Sequence, residues 1–247
     1  AQRAYTDKVE QSLLSAMDEF YKLTGRRYGL ISTYEMDDAE YAIVGMGSMI
    51  ETAEAAVDYL RKEKNIKVGI VHVTSFRPFP GKQLTEALQH VRSISVLERM
   101  DNPLAESNPL TTEIKAALAD NIQRDKSGNM KMPKIFSGSA GLGSRDVRPD
   151  DIMAVVDNMI KDKKKYFAIG IDHELGLPTM DSTDIRPEGT FSMRGHSVGG
   201  YGSVTTNKVI ATIVADLFDM YVQAYPKYGS EKKGLPTTYY LTVSPSH

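Results

Sequence analysis

The sequence predicts an α/β fold: a mostly parallel sheet with flanking helices, followed by a smaller second unit. Three observations predict it. Short apolar runs of strand length, at 41–45, 68–73 and 94–97, alternate with stretches of helical periodicity. The first two runs are separated by a single helix, the spacing of a right-handed βαβ crossover. Towards the C-terminal end, an extended segment meets a glycine-rich turn and then an apolar helical stripe. A strand–loop–helix junction of this kind turns backbone N–H groups outward at the positive end of a helix, where a phosphate can be held.

Taken in order, residues 6–23 read as an amphipathic helix, with Val9, Leu13, Leu14, Met17, Phe20 and Tyr21 on its stripe and Gly25 placed to end it. Asp37 and Asp38 precede the strand 41–45. A helix over 50–62 carries Ala53, Ala56, Val57 and Leu60 on one face, and the strand 68–73 follows. Pro78 and Pro80 break the pattern before a short helix over 82–91. The strand 94–97 ends in Glu98, Arg99 and Asp101. Ligands gather at strand carboxyl ends in open α/β sheets, but a solvated loop or a structural ion pair is the favoured reading of these three. A helix over 109–119, a polar surface excursion over 120–132 and a strand over 133–136 come next.

Gly138, Gly141 and Gly143 punctuate the loop 137–144 before a helix over 148–161. With no lysine or acidic partner at the expected spacing, the loop reads as a structural turn rather than a phosphate cradle, and Arg145 and Arg148 as surface residues. Lys161, Lys163, Lys164 and Lys165 form a solvated helix end. After an apolar strand at 167–171, the segment 172–184 reads as an arm. Asp172, His173 and Glu174 lie there as loop residues, because neighbours in an extended chain do not converge on one ion. The second unit begins near Pro187. Its strand from Phe191 leads to Gly199, Gly200 and Gly202, and a helix starting at 203–206 carries Val209, Ile210, Ile213, Val214 and Leu217. A last strand is expected at 237–243.

Composition narrows the chemistry. A length of 247 residues with 41% apolar residues suits one large domain or two modest ones, and no stretch nears the roughly 20 apolar residues of a membrane span. A net charge of −2 argues against nucleic acid or an anionic membrane as a main partner. There is no cysteine, which rules out disulfides, thiolate metal sites and thiol nucleophiles within this chain and fits a cytoplasmic protein. The chain starts at Ala1 and stops just after its last strand, so a piece of a longer polypeptide is expected. His72 reads as a satisfied core residue, His90 as a helix-end residue and His247 as terminal. Only His196 lies beside a plausible ligand loop. No nucleophile elbow, zinc-binding helix or spaced pair of carboxylates is present.

Several segments together resemble one family. Leu23-Thr-Gly-Arg-Arg-Tyr-Gly-Leu30, Asp38-Ala-Glu-Tyr-Ala-Ile-Val-Gly-Met-Gly-Ser48, Val68-Gly-Ile-Val-His-Val-Thr-Ser-Phe-Arg-Pro-Phe79, Ser95-Val-Leu-Glu-Arg99 and Gly141-Leu-Gly-Ser144 resemble pyruvate:ferredoxin (flavodoxin) oxidoreductases in order and spacing. The resemblance implies a transketolase C-terminal-domain-like sheet over 35–165, entered by a connecting helix over 1–34 and left by a linker arm over 166–187. It also implies the start of a gamma-type, incomplete Rossmann-like domain over 188–247, because Gly202-Ser-Val-Thr-Thr-Asn-Lys208 is similar to that domain's opening pattern. The family decarboxylates a 2-oxoacid on thiamine diphosphate, passes electrons through iron–sulfur clusters to ferredoxin or flavodoxin, and forms an acyl-coenzyme A. This chain would be a non-catalytic part of a homodimeric enzyme, with its other partners the remaining domains.

By the same resemblance, Gly202, Ser203, Thr205, Thr206, Asn207 and Lys208 are the candidate contacts to coenzyme A, with Asn207 and Lys208 on its phosphates. Thiamine diphosphate and the clusters would be held elsewhere in the enzyme. Thr205 and Thr206 depart from the Gly-Ala of the pyruvate enzymes, and their bulk opposes positive φ. The alternatives are a stand-alone nucleotide-binding module using the 199–202 loop and an interaction scaffold. Against a dinucleotide fold stands the lack of an acidic residue at a strand end about 20 positions on, since Asp216 and Asp219 fall in the helix.

Overall fold

The computed structural model describes residues 2–121, 132–178, 184–198, 202–228 and 235–246. The core of the expected excursion (122–131), part of the arm (179–183), Gly199, Gly200 and His247 lie outside them. The chain divides into two compact units, Ala1–Thr183 and Asp184–His247.

In the first unit, helix α1 (Val9–Thr24) ends where Gly25 takes a left-handed conformation at φ 73°, its N–H donating to the Tyr21 carbonyl. None of its residues is buried, so the apolar stripe read from its periodicity is only half covered at Leu13, Met17 and Tyr21. The sheet then forms from β1 (Ile31–Tyr34), β2 (Tyr41–Gly45), β3 (Val68–Val73), β4 (Ser93–Glu98), β5 (Lys134–Ser139) and β6 (Tyr166–Ala168), in the order β1-β3-β2-β4-β5-β6. All neighbours are parallel except β1, which runs antiparallel to β3. The mostly parallel α/β sheet is thus as read, with β1 as an unforeseen edge. Strand β6 completes the other edge, so the first residues of the expected arm belong to the sheet.

Helices α2 (Met49–Lys64) and α5 (Pro149–Ile160) pack together, as do α3 (Gly81–Leu88) and α4 (Pro109–Asn121). The central strands are buried on both faces, which is why their sequences are continuous apolar runs without alternation. Val44, opposite Val71 and Val96 on the neighbouring strands, packs with Leu84, Leu88, Ile114 and Leu118 in one core cluster. Pro149 opens α5, and the Asp151 carboxylate accepts the Arg148 N–H at 3.0 Å.

The second unit departs further from expectation. Strands β7 (Phe191–Val198), β8 (Tyr221–Lys227) and β9 (Pro236–Ser244) pair antiparallel in the order β7-β9-β8, with α6 (Ser203–Phe218) against them. A Rossmann-like start would pair its strands parallel across the helix. Here the chain after α6 returns at the far side of β9. The stripe read on α6 is also displaced. Val204, Ala211 and Val214 face the small core of Tyr239, Leu241 and Val243, while Val209, Ile210, Ile213 and Leu217 are exposed, Leu217 by 75%. Small residues decide this. Ala211, and Gly195 on β7, let helix and sheet approach, and the Asn207 amide lies beside Gly195.

Candidate functional site

The start of α6 carries the candidate contacts read from the sequence, and Gly199, Gly200 and Tyr201 before it lie outside the described residues. Gly202 sits before the helix at φ 79°, a left-handed conformation that glycine adopts without steric cost, and its carbonyl accepts the Thr206 N–H at 2.9 Å. The N–H groups of Ser203, Val204 and Thr205 have no acceptor within the helix, no side chain caps the turn, and the first turn holds no acidic residue. Three donors with no acceptor among the described residues and the helix dipole therefore point the same way.

The candidate side chains split into two groups. Thr205 and Lys208, three residues apart, share the solvent side of the helix, and Lys208 has no ion-pair partner among the described residues. Thr206 turns its hydroxyl back to the Gly202 carbonyl at 3.2 Å. Ser203 and Asn207 face β7 instead. The Ser203 hydroxyl is hydrogen-bonded to that of Ser197, and the Asn207 amide nitrogen is 3.4 Å from the position of a Cβ on Gly195. Neither threonine has positive φ, so their bulk is accommodated inside the helix. His196 does not join this site. Residues on β7 alternate, and His196 points to the face away from α6, where its Nδ1 is 3.2 Å from the Thr238 hydroxyl.

At the carboxyl end of β4, the favoured reading of Glu98 as solvated or ion-paired is corrected. Its carboxylate is buried and accepts the Leu110 N–H at 2.7 Å, the Thr111 N–H at 3.0 Å and the Thr111 hydroxyl at 2.9 Å. It satisfies free first-turn donors of α4, as a capping side chain would. Arg99 donates from Nε to the Gly141 carbonyl, and Asp101 accepts the Ser139 hydroxyl at 3.3 Å. Gly141 and Gly143 both have positive φ, and Gly138 lies within β5 under the Phe167 ring, so this glycine run serves chain direction and packing.

Asn108 went unnoticed in the sequence. Its side chain accepts the Asn102 N–H and donates to the Met100 carbonyl and the Ser139 hydroxyl, tying three segments together. A lone asparagine before a proline gives no sign of such a role. His72 accepts the Gly47 N–H at Nε2 and His90 approaches the Met36 carbonyl, so both are satisfied structural residues. Asp172, His173 and Glu174 are exposed, and His173 Nδ1 accepts the Leu175 N–H. Among the described residues no helix is long and apolar enough to cross a membrane.

Comparison with known proteins gives matches along the whole chain. Residues 39–152 match the family model for pyruvate:ferredoxin oxidoreductase core domain II, and residues 192–247 that for pyruvate ferredoxin/flavodoxin oxidoreductase. The pyruvate:ferredoxin oxidoreductase of Moorella thermoacetica is 35% identical over 230 residues, covering 91% of this chain and 19% of its own. The pyruvate-flavodoxin oxidoreductase of Enterobacter agglomerans is 34% identical over 233 residues, covering 92% and 19%. This chain therefore spans about one fifth of the length of these relatives. A solved 2-oxoglutarate:ferredoxin oxidoreductase from Magnetococcus marinus, with 2-oxoglutarate, coenzyme A and succinyl-CoA bound, overlaps 53% of this chain and 20% of its own at 16% identity. Its TM-score of 0.36 is too low to transfer positions.

Proposed function

The chain belongs to the pyruvate:ferredoxin/flavodoxin oxidoreductase family, and on that premise we propose that it is a non-catalytic segment of a thiamine diphosphate- and iron–sulfur-dependent 2-oxoacid oxidoreductase. In this reading, residues 35–165 are a transketolase C-terminal-like domain entered by the helix of residues 1–34. Residues 188–247 open the gamma-type domain that covers coenzyme A, and an arm joins the two beyond β6. The two family matches fall inside these bounds, which supports the division. The whole enzyme is a cytoplasmic homodimer that reduces ferredoxin or flavodoxin, the two acceptors named by the relatives.

The chain's own part in coenzyme A binding rests on one observation: the uncapped first turn of α6, free of acidic side chains, followed by Lys208, whose ammonium has no ion-pair partner among the described residues. Those groups suit a phosphate. Backbone N–H groups of residues 203–205 would donate to its oxygens and Lys208 would neutralise charge, while Asn207, held against β7, would keep the helix seated. Thiamine diphosphate, when bound, supplies the carbanion chemistry of decarboxylation. With no cysteine, this chain provides no ligand for a thiolate-held cluster.

The test is Lys208→Ala in the oxidoreductase. The KM for coenzyme A should rise about tenfold, the scale of one charge-assisted hydrogen bond, with the KM for the 2-oxoacid unchanged. An unaltered coenzyme A dependence removes Lys208 from the site. The intact mass of the natural polypeptide tests the wider reading, which a chain ending at His247 without a cysteine-bearing partner would contradict.

A further inference from the structure

A cleft of about 510 Å³ opens at the carboxyl ends of β4 and β5 beside β6, lined entirely by residues of the first unit. Open parallel sheets bind ligands at this end, and nothing in the proposed function uses the cleft. Its floor is polar and mostly buried, formed by Asn108, Ser137 and Ser139, with the more exposed Asp101 beside them. Its rim is apolar and exposed at Leu142, Tyr166 and Leu175.

Following each proton shows what the floor lacks. The Thr111 hydroxyl gives its proton to the Glu98 carboxylate, so in its 3.1 Å contact with Ser137 the serine must donate. The lone pairs of Ser137 then have no donor among the described residues. Ser139 gives its proton to Asp101, and both amide protons of Asn108 go to the Met100 carbonyl and to Ser139. Every donor on the floor is therefore used within the protein. What faces the cleft is acceptor capacity: Ser137, the remaining lone pair of Ser139, and the Asp101 carboxylate, which has no ion-pair partner among the described residues.

We infer that this cleft binds a small organic amine. Its ammonium is held by Asp101 and Ser137, and its apolar body lies against Leu142, Tyr166 and Leu175. A buried polar floor gains only from a ligand that brings the missing donors, and an ammonium adds a charge-assisted bond to the carboxylate. Basic side chains also stand at the cleft, where the His173 ring is part of the lining. Lys115 Nζ reaches the Ser107 hydroxyl at its edge, so a carboxylate ligand is the necessary control.

The experiment is an amide NMR titration of the 247-residue chain with benzylamine, repeated with benzoate. Benzylamine should give saturable shifts confined to residues 99–108, 137–142 and 166–175, with benzoate much weaker. Asp101→Asn should lower benzylamine affinity roughly tenfold while shifts elsewhere in its spectrum stay at wild-type positions. Failure to saturate, an equal response in Asp101→Asn, or preference for benzoate would each overturn the assignment, the last by moving recognition to Lys115.

Discussion

Glu98 ends β4 with its carboxylate under the first turn of α4, and three hydrogen bonds converge on it. Replacing it by Gln leaves one acceptor oxygen and turns an NH2 group towards a backbone donor. Glu98→Gln should cost on the order of 2–3 kcal/mol in denaturant unfolding, and a loss below the error of the measurement would mean that α4 does not depend on it. Gly138 is a second residue with a defined cost, since a Cβ there would lie 2.4 Å from Cε2 of Phe167 and 2.9 Å from Cδ2 of Leu97. Gly138→Ala should destabilise the first unit by about 1–3 kcal/mol, measured as a lowered unfolding midpoint at unchanged slope. Tyr34 donates its hydroxyl to the Asp58 carboxylate at 2.7 Å, and this bond, reinforced by burial, pushes its pKa from 10.0 to about 12. The folded chain keeps that proton to higher pH than the unfolded chain does. The associated stability is therefore complete below pH 10.0 and is lost as pH rises through about 12. Ultraviolet titration of Asp58→Asn should bring this tyrosine back towards its ordinary value, and an unchanged late ionisation would assign the shift to something other than Asp58. None of these partnerships was legible in the sequence, because each joins side chains that only the fold brings into contact.

The elements were legible in proportion to how cleanly burial imposes a period. Strand β2 was read to its last residue and β3 to both ends, because a strand buried on two faces is an apolar run bounded by polar residues. The stripe of Ala53, Ala56, Val57 and Leu60 on α2 is buried as expected. Strands β1 and β8 were missed for a shared reason: both are sheet edges, one of four residues and the other containing Pro226, a residue that central strands exclude. Helix α6 misled because it is apolar on two sides, so periodicity alone cannot tell which side meets the sheet. The structure makes that choice testable. Ala211→Leu would force a larger side chain between α6 and β9 and should cost about 1–3 kcal/mol, whereas Ile213→Gln on the exposed side should change stability by less than about 0.5 kcal/mol. Reversed costs would restore the stripe read from the sequence. At the candidate site, the helix start was legible because Gly202 and the following run have a local signature, while the rest of the expected glycine turn lies outside the described residues. The facing of Asn207 towards Gly195 was not, since it follows from the antiparallel sheet.

Across the whole molecule, the two units differ in how much apolar surface they bury. The first has strands covered on both faces and a core cluster running from Met36 to Leu118. In the second, the described core is Ala211, Tyr239, Leu241 and Val243, with partly buried neighbours, under a sheet in which β7 and β8 are both edges. A unit of about 60 residues buries a smaller fraction of its surface than a larger one and is marginal on that account. Local opening follows the same inequality, because backbone amides are protected only as far as the surrounding packing resists exposure. Hydrogen exchange on the 247-residue chain should therefore show β7, β8 and β9 exchanging at least about tenfold faster than β2 and β4. Denaturant should release the second unit first, in a transition of its own. Equal protection in both sheets, or one cooperative transition reported by probes in both, would mean that the second unit draws stability from beyond its own small core.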